Sequence, residues 1–154
     1  MAKKKPDDNP VLATNKKAFH DYNILERFEA GIKLVGTEVK SCRERAVVIS
    51  DGYVKIQNGN AMLLCTQISH YGYGNRFNHD MRQPRQLLLH KREILKLSQW
   101  LGSKGGTIVP LKMYLKQGLI KVEIAYCQGK THADQRETLK KRQADLEMRR
   151  AMKR

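Results

Sequence analysis

Cysteine is scarce in this chain. Cys42, Cys65 and Cys127 are odd in number and far apart, so they form neither a zinc site nor a disulfide framework. Reduced thiols, buried or half-buried, are expected, as in a reducing compartment. The histidines are His20, His70, His79, His90 and His132, and no pair has metal-ligand spacing on a helix. Gly-x-Ser-x-Gly and phosphate-cradling glycine loops are missing. No catalytic residue, metal or cofactor is therefore expected. No stretch has the length and apolarity of a membrane span, and no helix is clearly both apolar and basic, so no membrane partner is expected. The N-terminal lysines are followed by Pro6-Asp7-Asp8-Asn9-Pro10 and not by the apolar core of a signal peptide, which points to the cytoplasm. There is no internal repeat.

Positive charge is abundant instead. The 154 residues hold 30 Lys/Arg against 15 Asp/Glu, a formal net charge of +15. The length suits one domain with a modest core plus tails. The excess is spread over Lys3-Lys4-Lys5, Lys16-Lys17, the stretch from Arg82 to Arg92, and the C-terminus. Such a field attracts phosphate and speeds encounter with polyanions.

The last 26 residues, Gly129 to Arg154, are the most informative, with nine Lys/Arg and four Asp/Glu. They contain no Pro, no aromatic residue and no Gly after the first position. Ala, Leu, Met, Glu, Gln, Lys and Arg favour a helix. Yet Leu139, Leu146, Met148 and Met152 build no broad apolar face. Either an acidic partner completes this helix, nucleic acid being the usual one, or the tail is a solvated segment.

Met1 to Thr14 reads as a disordered arm. Ala18 to Ile32 is strand-like through Phe19, Tyr22, Ile24, Phe28 and Ile32. Leu34 to Arg45 fits a short helix. Val47 to Ile56 and Ala61 to Ile68 read as strands joined at Asn58-Gly59-Asn60, since Asn-Gly supplies the positive φ of a tight hairpin. Ser69 to Pro84 reads as a long loop. Arg85 to Leu89 is a short strand, and Lys91 to Leu101 an amphipathic helix stopped by Gly102. Thr107 to Leu115 and Leu119 to Tyr126 are strands joined at Lys116-Gln117-Gly118. The fold class is mostly β: a closed barrel of oligonucleotide-binding type, about six strands with two inserted helices.

Four features could carry chemistry. His20-Asp21 is either a base with its orienting acid or a surface pair. His70 and His79 share the long loop with Tyr71, Tyr73, Arg76 and Asn78, side chains suited to stacking on bases and to phosphate contact. Trp100 suits core packing. Glu38 is either a solvated charge or an acceptor for the edge of an unpaired base.

Three blocks, Asn15-Lys16-Lys17-Ala18-Phe19-His20-Asp21-Tyr22, Phe28-Glu29-Ala30-Gly31-Ile32 and Gly36-Thr37-Glu38-Val39-Lys40-Ser41, resemble the opening of the SsrA-binding proteins, also called small protein B. Asn78-His79, Leu87-Leu88-Leu89-His90 with Glu93-Ile94, Lys104-Gly105, Val109-Pro110-Leu111 and Gly129-Lys130 fit the same family in the same order. The resemblance implies an oligonucleotide-binding barrel that holds the tRNA-like domain of transfer-messenger RNA. It also implies entry with that RNA into stalled ribosomes for trans-translation, with no enzymatic step and as a monomer. The barrel would span residues 15–130. Its RNA contacts would fall on Asn15, Lys16, Lys17, His20 and Tyr22, then Glu38 and Lys40, then Arg85, Leu89 and His90, and on Lys130 at the domain edge. The tail, residues 131–154, would be disordered when free and helical in the message channel against small-subunit ribosomal RNA. His132, Asp134, Arg136, Lys140, Lys141 and Arg142 would serve there. Asp134 and Arg136 keep the family pattern. Gln135 replaces a Lys, and Ala133 stands where an aromatic residue or His is usual. His132 comes one place early, roughly 100° around a helix.

Overall fold

The computed structural model describes residues 10–72, 78–130 and 132–152, except the side chains of residues 132–135 and 138. Two hairpins organise the barrel. Strand β4 (Tyr53–Gln57) turns into β5 (Asn60–Leu64), and β8 (Thr107–Lys116) turns into β9 (Leu119–Gly129). Both turns place two residues at positive φ, Asn58 and Gly59 at 51° and 75°, Gln117 and Gly118 at 52° and 79°. That is the hairpin chemistry the sequence predicts. The long strand β2 (Tyr22–Ile32) pairs with β9 and, at its end, with β7 (Arg85–Leu88). The order β8-β4-β5-β7-β2-β9 closes through the β8–β9 pair into a ring of six antiparallel strands. A mostly β closed barrel is thus present. Val47–Val48 (β3) and Gln67–Ile68 (β6) form a separate two-stranded ladder.

The interior is aliphatic. Ala30, Leu63, Leu87, Ile108, Val122 and Ile124 are fully or almost fully buried. Helix α3 (Lys91–Lys104) adds Leu97, also fully buried. Trp100 packs between Phe28 and Tyr126, with ring centroids 6.4 and 5.1 Å away, the core role expected for it. On the other face of β8 and β9, Val109, Leu111, Ala125 and Cys127 form a second small cluster under Ala18 of α1 (Lys16–Asp21). Alternation along the strands puts apolar residues on both faces here, because a helix covers the outside.

Several expectations need correction. Val11–Thr14 is a strand (β1) paired with β8, so the arm is ordered from there; residues 1–9 lie outside the described residues. Residues 18–21 are helical and not strand, because the Asn15 side chain caps α1 by accepting from the Ala18 amide at 3.1 Å. Helix α2 spans Gly36–Arg43. Residues 49–52 interrupt the first expected strand: Gly52 donates to the Ile49 carbonyl at 3.0 Å, and a Cβ there would meet Thr66 Cγ2 at 2.7 Å. Gly102 does not stop α3, which runs to Lys104 and ends at Gly105, at φ +68°. The tail stands as helix α4 (His132–Met152), the form its residue propensities favour and the one expected of it when bound.

Candidate nucleic-acid interface

The residues singled out in the sequence fall into three places. Around α1 lie Lys16, Lys17, His20, Tyr22 and Lys130. Lys16, Lys17 and His20 are exposed; Tyr22 and Lys130 are half-buried. Lys17 Nζ faces Asp51 Oδ1 at 3.7 Å, and His20 Nδ1 is 2.9 Å from Asp21 Oδ1. Lys130 anchors the tail to α1: its amide donates to the Asp21 carbonyl at 3.0 Å, and its ammonium to the Phe19 carbonyl at 3.1 Å. Asn15 is different. It is 1% exposed; its side-chain oxygen caps α1, and its Nδ2 donates to the Pro110 carbonyl at 2.8 Å. Its amide group holds the fold and faces no solvent.

The second place is α2 with the strand that follows the long loop. Glu38 and Arg85 form an ion pair whose side chains are 2% and 1% exposed. Arg85 satisfies every donor of its guanidinium. Nε reaches Glu38, Nη1 reaches the Thr66 carbonyl and hydroxyl at 3.2 Å each, and Nη2 reaches the carbonyls of Asp80 and Met81 at 3.2 and 3.1 Å. The second oxygen of Glu38 accepts the Val35 amide at 3.1 Å. Glu38 is therefore neither a solvated charge nor presented to a base edge, and Arg85 is not presented to phosphate. Sequence reasoning assigned both to the surface because a charged residue is rarely buried unless paired, and the partners lie 47 positions apart.

His79 is likewise interior, at 6% exposure. Its Nε2 lies 2.9 Å from the Ile68 carbonyl and must donate, leaving Nδ1 to the Thr37 hydroxyl at 2.9 Å. It does not stack on an outside base. His70, exposed, packs edge-on to it with centroids 5.7 Å apart. Asn78 clasps the loop by exchanging two hydrogen bonds with the Tyr71 backbone, 3.0 and 2.7 Å. Lys40, exposed on α2, sits 5.3 Å over the Tyr71 ring. Tyr73 and Arg76 lie outside the described residues.

The third place is the end of β7. Leu87 points into the core, Leu88 is 49% exposed, and Leu89 packs partly against the core. The outward leucine is Leu88, one position before the residue expected to make contact. His90 is exposed and its amide donates to Glu93 Oε1 at 3.1 Å, starting α3. In the tail, Arg136, Lys140, Lys141 and Arg142 are all exposed, while the side chains of His132 and Asp134 lie outside the described residues.

The outer face of β2, β9 and β8 is charged and internally matched. Arg27 and Lys112 flank Glu123 at 3.2 and 3.6 Å. Tyr114 donates to Glu29, which Lys116 also meets at 3.2 Å. That phenol, ahead of the lysine, holds the Glu29 carboxyl below its ordinary range despite the opposing effect of burial. Burial raises the Cys42 and Cys127 thiols to about 12, which makes both inert. Among the described residues no group of His, Cys, Asp and Glu could hold a metal ion, and no helix is long and apolar enough to cross a membrane.

The chain is 54% identical to the SsrA-binding protein of Levilactobacillus brevis, with 99% of each chain aligned. It is 51% identical to that of Caldicellulosiruptor saccharolyticus, over 98% of this chain and 96% of the other. Its fold superimposes with a TM-score of 0.66 on a chain solved in work on tmRNA-SmpB and its journey to the center of the bacterial ribosome, at 40% identity, covering 84% of this chain and 94% of that one. The sequence model of the SmpB protein family matches residues 12–154, barrel and tail together. This chain belongs to the SmpB protein family.

Proposed function

We propose that this chain binds the tRNA-like domain of transfer-messenger RNA and brings it to stalled ribosomes for trans-translation, in the cytoplasm and by binding alone. The observation that carries this reading is that one family match spans both the barrel and the cationic helix α4. Within the barrel, the side chains placed to meet RNA are Lys16, Lys17, His20, Tyr22, Lys40, Leu88 and His90. Asn15, Glu38 and Arg85 act one step behind them, by fixing α1, α2 and the loop before β7. Lys130 ties the root of the tail to α1. The tail, residues 131–154, then contacts ribosomal RNA through its exposed cations. A lone helix of this length without an apolar face is marginal in water, so a polyanion that relieves the repulsion among Lys140, Lys141 and Arg142 holds it in shape. His20-Asp21 belongs to this binding surface and not to a catalytic pair.

The test is capture of the tRNA-like domain by the full chain in the presence of excess bulk tRNA, with peptide tagging on a message lacking a stop codon measured in parallel. Capture that survives the competitor, together with tagging, is the expected result. Capture abolished by bulk tRNA would identify a general nucleic-acid binder instead.

A further inference from the structure

A polar cavity of about 290 Å³ opens between α1 and the turn that leads into β4. Buried Ala18, Gly52 and Val109 line it, and Tyr22, Tyr53, Asp21 and Asp51 stand around it. The cavity is at the small end of ligand pockets, suited to one planar ring and not to a run of nucleotides.

We infer that this cavity receives a single unpaired guanine base, read by Asp51 and stacked on by tyrosine. The inference rests on the RNA-binding reading above. An ionised carboxylate is acceptor-only, so it repels phosphate and selects a ligand edge that donates. Guanine presents two adjacent donors on its Watson–Crick edge, N1–H and the 2-amino group, which match the two oxygens of one carboxylate. Adenine offers only its 6-amino group there. Asp51 is the reader because its present partner is weak: Lys17 stands 3.7 Å away and both side chains are largely exposed, 74% and 62%. Asp21 is held by His20 at 2.9 Å. Tyr53 is 41% exposed and Tyr22 half-buried, so both offer ring surface at the mouth. Lys17, which lines the cavity, becomes available to a flanking phosphate once Asp51 turns to the base.

The experiment measures binding of the full chain to three pentanucleotides, with guanine, inosine or adenine between uridines, and to the tRNA-like RNA in the same buffer. The expected result is a preference for guanine over adenine of about tenfold, the size of one good two-point contact. Inosine, which lacks the 2-amino group, should lose most of it. Asp51→Asn should bring guanine down to the adenine level. Tyr53→Leu should weaken all three oligonucleotides and keep their ratio, since stacking does not discriminate among bases. Equal affinity for guanine and adenine, or a preference that survives in Asp51→Asn, would overturn the inference. So would tight binding of an arginine-bearing peptide that Asp51→Asn abolishes, which would assign the cavity to a protein partner. If the tRNA-like RNA binds but guanine is not preferred, this inference fails alone. If the tRNA-like RNA does not bind, the functional reading itself fails.

Discussion

The barrel and the tail helix are both rich in charge, and they handle it in opposite ways. In the barrel, charges meet one another: Glu38 with Arg85 inside, Glu123 with Arg27 and Lys112 outside, Glu26 with Lys96 at 2.9 Å. In α4 the cations Arg136, Lys140, Lys141 and Arg142 face solvent, and so do Leu139, Leu146, Met148 and Met152, from 53% to 81% exposed. The barrel is specified by contacts within the chain. The tail, on the proposed reading, is specified by the ribosomal RNA it meets. The difference separates residues whose loss unfolds the molecule from residues whose loss only disconnects it from a partner.

The sharpest way to break the comparison is to attack the interior pair. Arg85→Met leaves Glu38 buried without its partner, and thermal melting should show about 3–5 kcal/mol of lost stability, the usual cost of stranding a buried charge. Glu38→Ala should weaken RNA capture too, in parallel with its melting temperature and not in excess of it. A variant that melted like the parent but lost RNA would return Glu38 to the binding surface.

A smaller effect is expected at the β8–β9 turn. Gly118→Ala puts a side chain at φ +79° and should cost about 1 kcal/mol by chemical denaturation, with no change in RNA specificity.

The tail should respond in the reverse sense. Replacing Lys140, Lys141 and Arg142 by Gln should leave melting unchanged to within about 0.5 kcal/mol. The slope of log affinity for small ribosomal subunits against log salt should nevertheless flatten by roughly two to three. A fall in melting temperature would show that α4 packs on the barrel.

The smallest effect concerns thiols. Cys65 is exposed and should react with maleimide at neutral pH, while Cys42 and Cys127, with thiols raised to about 12 by burial, should react only after unfolding.

The hairpin turns and amphipathic α3 were legible in the sequence because their signals are local: Asn58-Gly59, Gln117-Gly118, and apolar residues at helical spacing. The ring closure is also implied by a meander of short strands ending in a long pair. What was not legible depends on distance. The Asn15 cap turned the start of an apparent strand into α1, since Phe19 suits a strand as well as a covered helix. The burial of Glu38, Arg85 and His79 is fixed by partners far away in the chain. Periodicity alone did not decide that Leu88, and not Leu89, faces outward. The Asp51–Tyr53 cavity left no motif at all, because its walls come from three separate segments.

The division of labour is tested most directly by ending the chain at Lys130 and measuring two things on one preparation: affinity for the tRNA-like RNA, and tagging on a message without a stop codon. The account predicts affinity within a few-fold of the full chain, about 1 kcal/mol, and no tagging. Loss of RNA capture by the truncated barrel, or normal tagging without the tail, would contradict it.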